Sequence, residues 1–508
     1  MNRIIVYRTH IEISNYELGE QERLEYYFSI YDKLTHQFFY KGLDYNFETK
    51  TLYLPRGIDI NYLENIFGEQ AIYKDFEYDN FSRFSDTMIK YMPRDEVQSE
   101  TLRFMLGKGE YSCTENMSQL SINLNTGAGK TYVTIASIVY YQIKSIVIAS
   151  TVEWLKQWEK CLLEYTDMKK EEIVILTGLP SIVKIIKNIG KHKKENVKVF
   201  LITHSTLRNY GEKYGWDAIG ILFKNLKIGI KVYDESHLNF DNIIHVDFFT
   251  NTWKTYYLTA TPARSNDGEN GIFKLYFKNI LSIDLFNQEE DPRTKYIAIK
   301  YNSKPSPQEI GQCKNQYGLD RNRYVDYVVR KPNFYKLLRI LIDMINKVNG
   351  KVLIYIGTNS GIVTVVNWIA KHYPELYSEI GVFTSIIKED KKEQLNKRVI
   401  FSTTKSAGAA LDIKNLKMTI VLAEPFKSEV LARQTLGRTR DYNTVYIDIV
   451  DIGFSYCNSY YKAKKSIFEK YATECNVITI NDDDLTYRAE KLTKPKLIRP
   501  FKYVSHME

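Results

Sequence analysis

One short stretch, residues 121–133, restricts the fold of this chain more than any other. It reads SINLNTGAGKTYV, in which apolar residues suited to a buried strand are followed by a Gly-rich turn and then by a helix-like run. Gly127 and Gly129 let the backbone approach phosphate oxygens, which backbone N–H groups and the following helix N-terminus can solvate. The stretch therefore predicts an α/β fold organised around a nucleotide phosphate, and an ordinary Gly-containing turn is the plainer alternative.

The residues of this loop have separate expected roles. Lys130 is expected to contact the β and γ phosphates of ATP, and Thr131 is expected to ligate Mg²⁺. Leu124 stands where the usual eight-residue pattern opens with a small residue, so the full signature is not met. The predicted nucleotide-binding residues of the loop are Thr126, Gly127, Ala128, Gly129, Lys130 and Thr131.

The 508 residues are too many for one hydrophobic core and predict two to four domains. No run of eighteen uncharged apolar residues is present, and the apolar patch at 4–7 is too short for a signal-peptide core, so we expect a cytosolic protein without a membrane partner. Five scattered cysteines without a Cys-x-x-Cys spacing favour reduced thiols over a zinc site. The net charge of +9 permits a polyanionic partner without requiring one.

Residues 1–88 predict a small α+β accessory domain, because short β-like runs alternate with turn-forming residues. These runs are 4–7, 26–30, 38–40 and 51–54. Residues 92–106 then change to a helical period, in which Gln98 is expected to face away from the apolar side. That apolar side comprises Val97, Leu102, Met105 and Leu106. The Gln98 carboxamide could bind an adenine edge, although a solvated helix glutamine is the commoner interpretation.

After the loop, strand-like runs recur between helical segments, which is typical of a parallel sheet covered by helices. The runs are 145–149, 173–176, 198–203, 228–233 and 256–260. The helix after Thr151 carries a stripe that we interpret as core and not as a binding site. This stripe comprises Trp154, Trp158, Cys161, Leu162 and Tyr165.

Two polar groups follow neighbouring strands of that sheet. In DESH, residues 234–237, Asp234 is expected to hold the water shell of Mg²⁺ and Glu235 to orient and deprotonate an attacking water. An acidic pair after a strand is otherwise often a helix N-cap. In LTATP, residues 258–262, two hydroxyls could relay the nucleotide state through hydrogen bonds, and His237 could couple this site to neighbouring elements; an ordinary strand end is the alternative.

A second alternation of strands and helices begins beyond the polar stretch 287–316, which we interpret as a linker and domain entry. Its strands are 351–356, 398–402, 418–422 and 445–449, and the polar residues after the second are Thr403, Thr404, Gly408 and Asp412. RQTLGRTRD, residues 433–441, carries Gln434 and arginines that could contact the γ-phosphate as an arginine finger does. A solvated helix face is the commoner alternative.

In this order the motifs resemble those of superfamily 2 helicases and translocases over about residues 90–460. Gln98, NTGAGKT, DESH, the TAT at 259–261, STTKSAGAALDI and QTLGR with Arg440 match six motifs of that superfamily. The N-terminal domain and the short insert after Thr261 look most like bacteriophage UvsW-type branch-migration helicases and related excision-repair helicases. The resemblance implies two RecA-like lobes in tandem, ATP hydrolysis with Mg²⁺ between them, and nucleic acid lying across both.

The resemblance also assigns residues in the second lobe. Asp412 is implied to contact the nucleotide, and Gln434, Arg438 and Arg440 are implied to act in catalysis. The second arginine of the sixth motif is expected three residues after Arg438, where this chain has Asp441, so both Arg438 and Arg440 remain candidates. Ser236 and Ala410 also differ from the commoner residues of the family.

The implied function is an ATP-dependent motor on DNA that remodels branches in phage replication, recombination or repair, in the host cytoplasm if the chain is of phage origin. RNA is not excluded, and the oligomeric state is open. The alternatives are a translocase subunit of a restriction or defence complex, and an ATP-gated clamp or origin-binding scaffold with slow hydrolysis. The expected domains are an N-terminal DNA-binding domain (1–88), lobe 1 (89–286), lobe 2 (287–470) and a basic tail (471–508).

Two lysine clusters are candidate nucleic-acid contacts, and a solvated basic face is an equal alternative for each. The first comprises Lys184, Lys187, Lys191, Lys193 and Lys194. The second lies in the helical run 456–471, where Lys462, Lys464 and Lys465 alternate with aromatic residues.

Overall fold

We describe the fold from a computed structural model. It describes residues 3–32, 37–40, 42–46, 48–74, 77–124, 127–189, 196–259, 267–285, 294–316, 318–384, 391–407, 413–436 and 443–480. The chain divides into two compact units, Met1–Gln288 and Glu289–Glu508. The first unit holds the N-terminal domain and lobe 1, and the second unit holds lobe 2. None of the described helices is long and apolar enough to cross a membrane.

The N-terminal domain is a small mixed sheet with two helices. Its elements are β1 (Ile4–Tyr7), β2 (His10–Ser14), α1 (Leu18–Tyr27), β3 (Ser29–Asp32), β4 (Gln37–Tyr40), β5 (Asp44–Asn46), β6 (Thr51–Pro55), α2 (Ile60–Phe67) and β7 (Ile72–Lys74). The sheet order is β5-β6-β2-β1-β7, and β3 pairs separately with β4. The strand predicted at 26–30 is wrong at its start, because Leu24 and Phe28 are buried four residues apart on the helical side of this segment.

The N-terminal domain shares one hydrophobic core with lobe 1. Buried residues of both, including Ile4, Leu63 and Phe248, belong to a single apolar cluster. The rings of Tyr53 and Phe249 lie 4.9 Å apart. The accessory domain is therefore packed against lobe 1 through its interior residues and not only through a linker.

Lobe 1 is a parallel sheet covered by helices. Its elements are α3 (Glu96–Leu106), β8 (Gln119–Asn123), α4 (Lys130–Tyr141), β9 (Ser145–Ala149), α5 (Val152–Tyr165), β10 (Ile173–Leu176), α6 (Gly178–Ile189), β11 (Val199–Thr203), α7 (His204–Tyr214), α8 (Asp217–Leu226), β12 (Ile230–Tyr233), α9 (Phe240–Phe249), β13 (Lys254–Thr259), α10 (Asp267–Phe277) and β14 (Leu281–Asp284). The described strands lie in the order β10-β11-β9-β12-β13-β8-β14, and every pairing is parallel.

This strand order positions the candidate site. The strand before the Gly-rich loop, β8, and the strand before DESH, β12, are both neighbours of β13. Because carboxyl ends of parallel strands share one sheet edge, the loop, Asp234 and Thr259 follow three adjacent strands at that edge. The fifteen strand residues of β8, β9 and β11 are all buried, as expected for a sheet with helices on both faces.

Lobe 2 repeats this architecture without a Gly-rich phosphate loop among its described residues. Its elements are β15 (Thr294–Tyr301), α11 (Pro307–Gln312), β16 (Lys314–Asn315), β17 (Gly318–Leu319), α12 (Arg321–Val328), α13 (Pro332–Asn346), β18 (Lys351–Ile356), α14 (Asn359–His372), α15 (Pro374–Ser378), β19 (Ile380–Phe383), α16 (Lys391–Asn396), β20 (Val399–Ser402), α17 (Thr404–Ala407), β21 (Leu416–Ala423), α18 (Glu429–Leu436), β22 (Thr444–Asp451), α19 (Ser455–Tyr471) and β23 (Glu474–Thr479). The order of the main sheet is β19-β20-β18-β21-β22-β15-β23, with parallel pairings throughout the described strands.

Two segments of lobe 2 differ from the sequence-based prediction. The stretch 287–316, interpreted as a linker and domain entry, contains β15, an eight-residue strand between β22 and β23. The basic tail was expected to start at residue 471, yet β23 lies beyond that point and pairs with β15. Both strands pair with partners distant in sequence, so local pattern alone did not reveal them. The predicted class, α/β with two parallel-sheet lobes and a small N-terminal α+β domain, is confirmed.

Candidate functional site

The Gly-rich loop between β8 and α4 has the backbone that a phosphate-binding loop requires. Gly127 and Gly129 have φ of 89° and 96°, in the left-handed region that favours glycine. Gly129 is the N-cap of α4, so the N–H groups that have no acceptor within the helix itself begin immediately after it. Lys130 starts α4 and donates from Nζ to the carbonyl of Leu124 at 3.0 Å. Thr131 follows, partly exposed, and Thr126 lies outside the described residues.

Gln98 lies against this loop and not on a solvated helix face. Its Oε1 accepts from the backbone N–H of Arg94 at 2.8 Å, and its Nε2 donates to the carbonyl of Ala128 at 3.4 Å. A Cβ on Gly129 would lie 2.1 Å from Nε2 of Gln98, which gives Gly129 a second reason to be glycine. The expectation that Gln98 faces away from the buried side is wrong, because Gln98 shares that side with Thr101 and Met105, three and seven residues later.

Asp234 and Glu235 follow β12 in a turn that three strands hold in place. The N–H of Asp234 donates to the carbonyl of Ile148 in β9 at 2.9 Å. The N–H of Ser236 donates to the carbonyl of Leu258 in β13 at 2.8 Å. Glu235 is buried and has φ of 51°, a conformation that few non-glycine residues adopt and that occurs often at functional sites. The acidic pair is therefore not an N-cap, since α9 has Asn239 at that position.

The Asp234 carboxylate has an unusual environment. The indole Nε1–H of Trp158 donates to Oδ2 of Asp234 at 2.8 Å. Burial, and secondarily the charge of Glu235, raise the pKa of Asp234 to about 6, while the Trp158 hydrogen bond and the charge of Lys130 oppose this increase. The interaction with Lys130 indicates that the loop and the acidic turn lie within electrostatic range of each other.

His237 connects the acidic turn to the end of β13. Its Nδ1 lies 3.0 Å from Oγ1 of Thr259 and 3.4 Å from Oε2 of Glu235. The carbonyl of Thr259 accepts from the N–H of Leu124, at the start of the Gly-rich loop, at 3.1 Å. Thr259 therefore contacts the acidic turn through its hydroxyl and the loop through its backbone carbonyl, and the hydroxyl relay stays a prediction. Thr261, the second hydroxyl, lies outside the described residues.

The side chains at this edge fit a nucleotide with Mg²⁺. Mg²⁺ prefers oxygen ligands, uses few protein groups and keeps several waters. Asp234 offers its second carboxylate oxygen, and Thr131 carries a hydroxyl on the first turn of α4. No cluster of three or more His, Cys, Asp or Glu suited to a metal occurs in the described part of the chain.

In lobe 2 the buried carboxylate of Glu424 belongs to a set of contacts that joins the ends of three strands. Glu424, directly after β21, accepts from the hydroxyl of Thr404 at 2.8 Å. Arg321 pairs with Glu424 at 2.8 Å and also donates to the carbonyl of Gly357 after β18. The sequence-based analysis singled out Thr404 but missed Glu424, although a carboxylate directly after an apolar strand was the available signal.

Several predicted residues of lobe 2 are not placed. Asp412, Gly408, Arg438 and Arg440 lie outside the described residues, and Gln434 falls within α18 where its side chain is not described. The arginine-finger prediction for this segment stays a prediction.

The two lysine clusters differ from one another. Lys184 and Lys187 are exposed on α6, and the other three lysines of the first cluster lie outside the described residues. In the second, Lys462 and Lys465 are exposed on α19. The inclusion of Lys464 is wrong, because its side chain is buried, pairs with Asp448 at 3.0 Å and lies 4.0 Å from the centroid of the Phe426 ring.

Trp158 has a polar contact that its sequence context does not indicate. The stripe on α5 was interpreted as core, and Trp158 and Leu162 are indeed buried. The same indole nevertheless donates to a carboxylate 76 residues further along the chain. No local signal distinguishes this tryptophan from Trp154, one turn earlier.

Part of this chain is similar in sequence to known proteins. Residues 90–264 match the family model of the Type III restriction enzyme, res subunit. The ATP-dependent DNA helicase MPH1 of Scheffersomyces stipitis is 28% identical over 192 residues, which are 36% of this chain and 17% of the relative. The chain thus spans only about a sixth of that curated relative.

One solved structure, that of Mss116p, is similar to this chain in fold. Mss116p bound to ssRNA and AMP-PNP has a TM-score of 0.51 and 13% identity, over 77% of this chain and 75% of that chain. T4 UvsW is 15% identical, over 95% of this chain and 100% of that chain, with a TM-score of 0.35. In its motifs, its family match over residues 90–264 and its two parallel-sheet lobes, the chain resembles the superfamily 2 helicases and translocases.

Proposed function

We propose that this chain is a nucleic-acid-dependent ATPase that acts as a helicase or translocase on DNA. The observation that carries the proposal is that Lys130 follows β8 while Asp234 and Glu235 follow β12, the two strands that flank β13 in one parallel sheet. Phosphoryl transfer depends on positioning and on charge neutralisation more than on covalent chemistry. A cation at the start of α4 within electrostatic range of the Asp234 carboxylate suits that requirement.

The proposed roles follow from the contacts. The N–H groups at the start of α4 and the Lys130 ammonium bind phosphate oxygens, since both present positive charge where β8 ends. Asp234 and Thr131 hold Mg²⁺, which when bound neutralises developing charge on the phosphates. Glu235, fixed by its backbone conformation, orients a water and accepts its proton. Gln98 supports the loop from behind and is suited to bind the base.

The remaining groups belong to lobe 2. Gln434, Arg438 and Arg440 are proposed to complete the site from the second unit, and Asp412 to contact the nucleotide. Arg438 or Arg440 would then stabilise charge on the transferring phosphoryl group, as arginine fingers do. Because Lys130 and these arginines belong to different units, hydrolysis would depend on what brings the units together, and a bound polynucleotide is suited to that role.

The choice of DNA, and of branched DNA in phage recombination, replication or repair, is part of the proposal. It is supported by the motif resemblance and by the printed function of the curated relative, a DNA helicase. The alternative of RNA keeps support from the Mss116p structure, which contains ssRNA. The distribution of charge indicates where nucleic acid would bind. Residues 1–88 carry 15 acidic and nine basic side chains, whereas the remaining chain carries 46 acidic and 61 basic side chains. Phosphate contacts are therefore proposed for the two lobes more than for the N-terminal domain.

A pair of variants tests the ATPase assignment. Glu235→Gln should bind ATP with Mg²⁺ normally and fail to hydrolyse it, because the amide orients water but accepts no proton. Lys130→Ala should lose hydrolysis and weaken ATP binding, and it should retain nucleic-acid binding. Phosphate release and equilibrium binding of a fluorescent ATP analogue measure these effects, with Glu171→Gln, an exposed glutamate, as the matched control. Wild-type turnover in either active-site variant would contradict the proposal.

A further inference from the structure

The structure assigns Trp158 as a positioning residue that makes the site selective for Mg²⁺ over Ca²⁺. This inference rests on the proposed function of Asp234 as a metal-binding carboxylate. The indole Nε1–H donates to Oδ2 of Asp234 at 2.8 Å, so this oxygen is already engaged by the protein. The bond to the indole leaves Oδ1 as the carboxylate oxygen that faces a metal or a metal-bound water, and the backbone N–H of Glu235 also donates to this carboxylate.

The hydrogen bond is rigid on the Trp158 side. Trp158 is 2% exposed and belongs to the apolar core between α5 and the sheet, so its ring cannot follow the carboxylate. The turn is also fixed on the other side, because Asn239 donates from Nδ2 to Oγ of Ser150 at 2.8 Å and the N–H of Asp234 is bonded to β9. Rotation of the Asp234 carboxylate about χ2 would break the bond to the indole.

A carboxylate held by one oxygen discriminates between divalent cations. Mg²⁺ demands near-octahedral geometry and takes carboxylates through single oxygens, with several waters retained. Ca²⁺ accepts six to eight oxygens and commonly uses both oxygens of one carboxylate. By engaging Oδ2, Trp158 orients Oδ1 for Mg²⁺ and prevents Ca²⁺ from contacting both oxygens of the carboxylate.

The test measures cation-dependent nucleotide binding and not turnover. Anisotropy of a fluorescent, non-hydrolysable ATP analogue is recorded on the full chain during titration with Mg²⁺ or with Ca²⁺. Trp158→Phe keeps most of the ring volume and removes the N–H. This variant should raise the half-saturating Mg²⁺ concentration by ~10-fold, the lower end of the usual effect of removing the hydrogen-bond partner of a metal ligand. The half-saturating Ca²⁺ concentration should stay unchanged or fall.

Two further variants separate orientation from packing. Trp154→Phe, one turn earlier in α5 and packed against the same core, should leave both titrations at wild-type values. Trp158→His retains a ring N–H in a smaller side chain and should keep more of the Mg²⁺ preference than Trp158→Phe. Equal losses in these two Trp158 variants would assign the effect to packing and overturn the inference.

The outcomes for the two proposals are distinct. A wild-type chain whose nucleotide binding needs no divalent cation would contradict the proposed function itself. A wild-type chain that prefers Mg²⁺, together with a Trp158→Phe variant having unchanged Mg²⁺ and Ca²⁺ titrations, would leave the proposed function intact and overturn only the role of Trp158. Thermal unfolding midpoints of all variants establish that each is folded.

Discussion

At the scale of residues, the candidate site depends on side chains whose environment differs from what their sequence context indicates. Gln98 is buried against the loop and not solvated, and Lys464 is in a buried ion pair and not on a basic surface. The spacing of Tyr461, Lys464 and Phe468 by three and four residues was an available signal that Lys464 shares the buried face of α19. No comparable signal exists for the bond from Trp158 to Asp234, because it joins positions 76 residues apart.

The raised pKa of Asp234 leads to a prediction about pH. The ionised carboxylate is the form that binds Mg²⁺, and burial raises its pKa to about 6. Mg²⁺-dependent nucleotide binding should therefore weaken as the pH falls through about 6, because the folded chain holds the proton. Raising the Mg²⁺ concentration should lower the pH at which binding weakens, since the cation favours the ionised carboxylate.

Nucleotide binding across pH 5 to 8 at several Mg²⁺ concentrations measures this pH dependence. Binding is measured in place of turnover, because the proposed role of Glu235 is in the chemical step only. If binding weakens at the same pH at every Mg²⁺ concentration, a group other than Asp234 controls binding.

At the scale of elements, a buried polar network joins the strands beneath the site to two helices. Lys231 in β12 and Asp247 in α9 form an ion pair at 2.5 Å with both side chains fully buried. Tyr233 and Tyr257 donate to Asp247 at 2.7 Å and 2.5 Å, and Tyr276 in α10 donates to it as well. The network thus connects β12, which Asp234 follows, and β13, which ends at Thr259, to the helices packed on them.

Asp247→Ala should be strongly destabilising. Removing one partner of a buried pair leaves an uncompensated charge and costs about 3–5 kcal/mol. Replacing both partners, as in Lys231→Met with Asp247→Leu, should cost less than Asp247→Ala alone, because no buried charge is left unpaired. Urea denaturation of the full chain measures the apparent free energy of the first unfolding transition. A double variant less stable than Asp247→Ala would contradict this account of the network.

Elements with local signatures could be predicted, and elements defined by distant pairing could not. The strands at 4–7, 145–149, 173–176 and 351–356 match β1, β9, β10 and β18, because short apolar runs end at clear turns. The strand β15, with the sequence TKYIAIKY, lies in a stretch interpreted as a linker and domain entry, and its partners begin at Thr444 and Glu474. For the site, the Gly residues and the acidic turn were predictable from backbone requirements, while the contacts of Gln98, Glu424 and Trp158 depend on tertiary packing.

At the scale of the whole molecule, the N-terminal domain belongs structurally to lobe 1. Gly57 approaches the last turn of α10 so closely that a Cβ there would lie 2.0 Å from the carbonyl of Leu275. His245 of lobe 1 lies 2.9 Å from the Asp44 carboxylate of the N-terminal domain. A partner that binds the N-terminal domain would therefore bind the same compact unit that holds the Gly-rich loop and the acidic turn.

Deletion of residues 1–84 should destabilise lobe 1. It would expose apolar side chains of the shared core, including Phe248 and Phe249, whose ring contacts involve Tyr53. Each large apolar side chain that loses its burial costs about 1.5–3 kcal/mol. The truncated chain should therefore melt at lower temperature than the full chain or fail to stay in solution. An unchanged melting temperature would show that the shared core contributes little to lobe 1.

The most direct test of the central claim is steady-state ATP hydrolysis by the full chain with and without nucleic acid. We predict that DNA stimulates hydrolysis, that a branched DNA stimulates more than a plain duplex of equal length, and that Lys130→Ala abolishes the rate on every substrate. Matched four-way junction, fork, duplex, single-stranded DNA and RNA substrates make the comparison. Stimulation by RNA alone would overturn the DNA assignment, and a hydrolysis rate indifferent to every nucleic acid would contradict the account of the chain as a nucleic-acid-dependent motor.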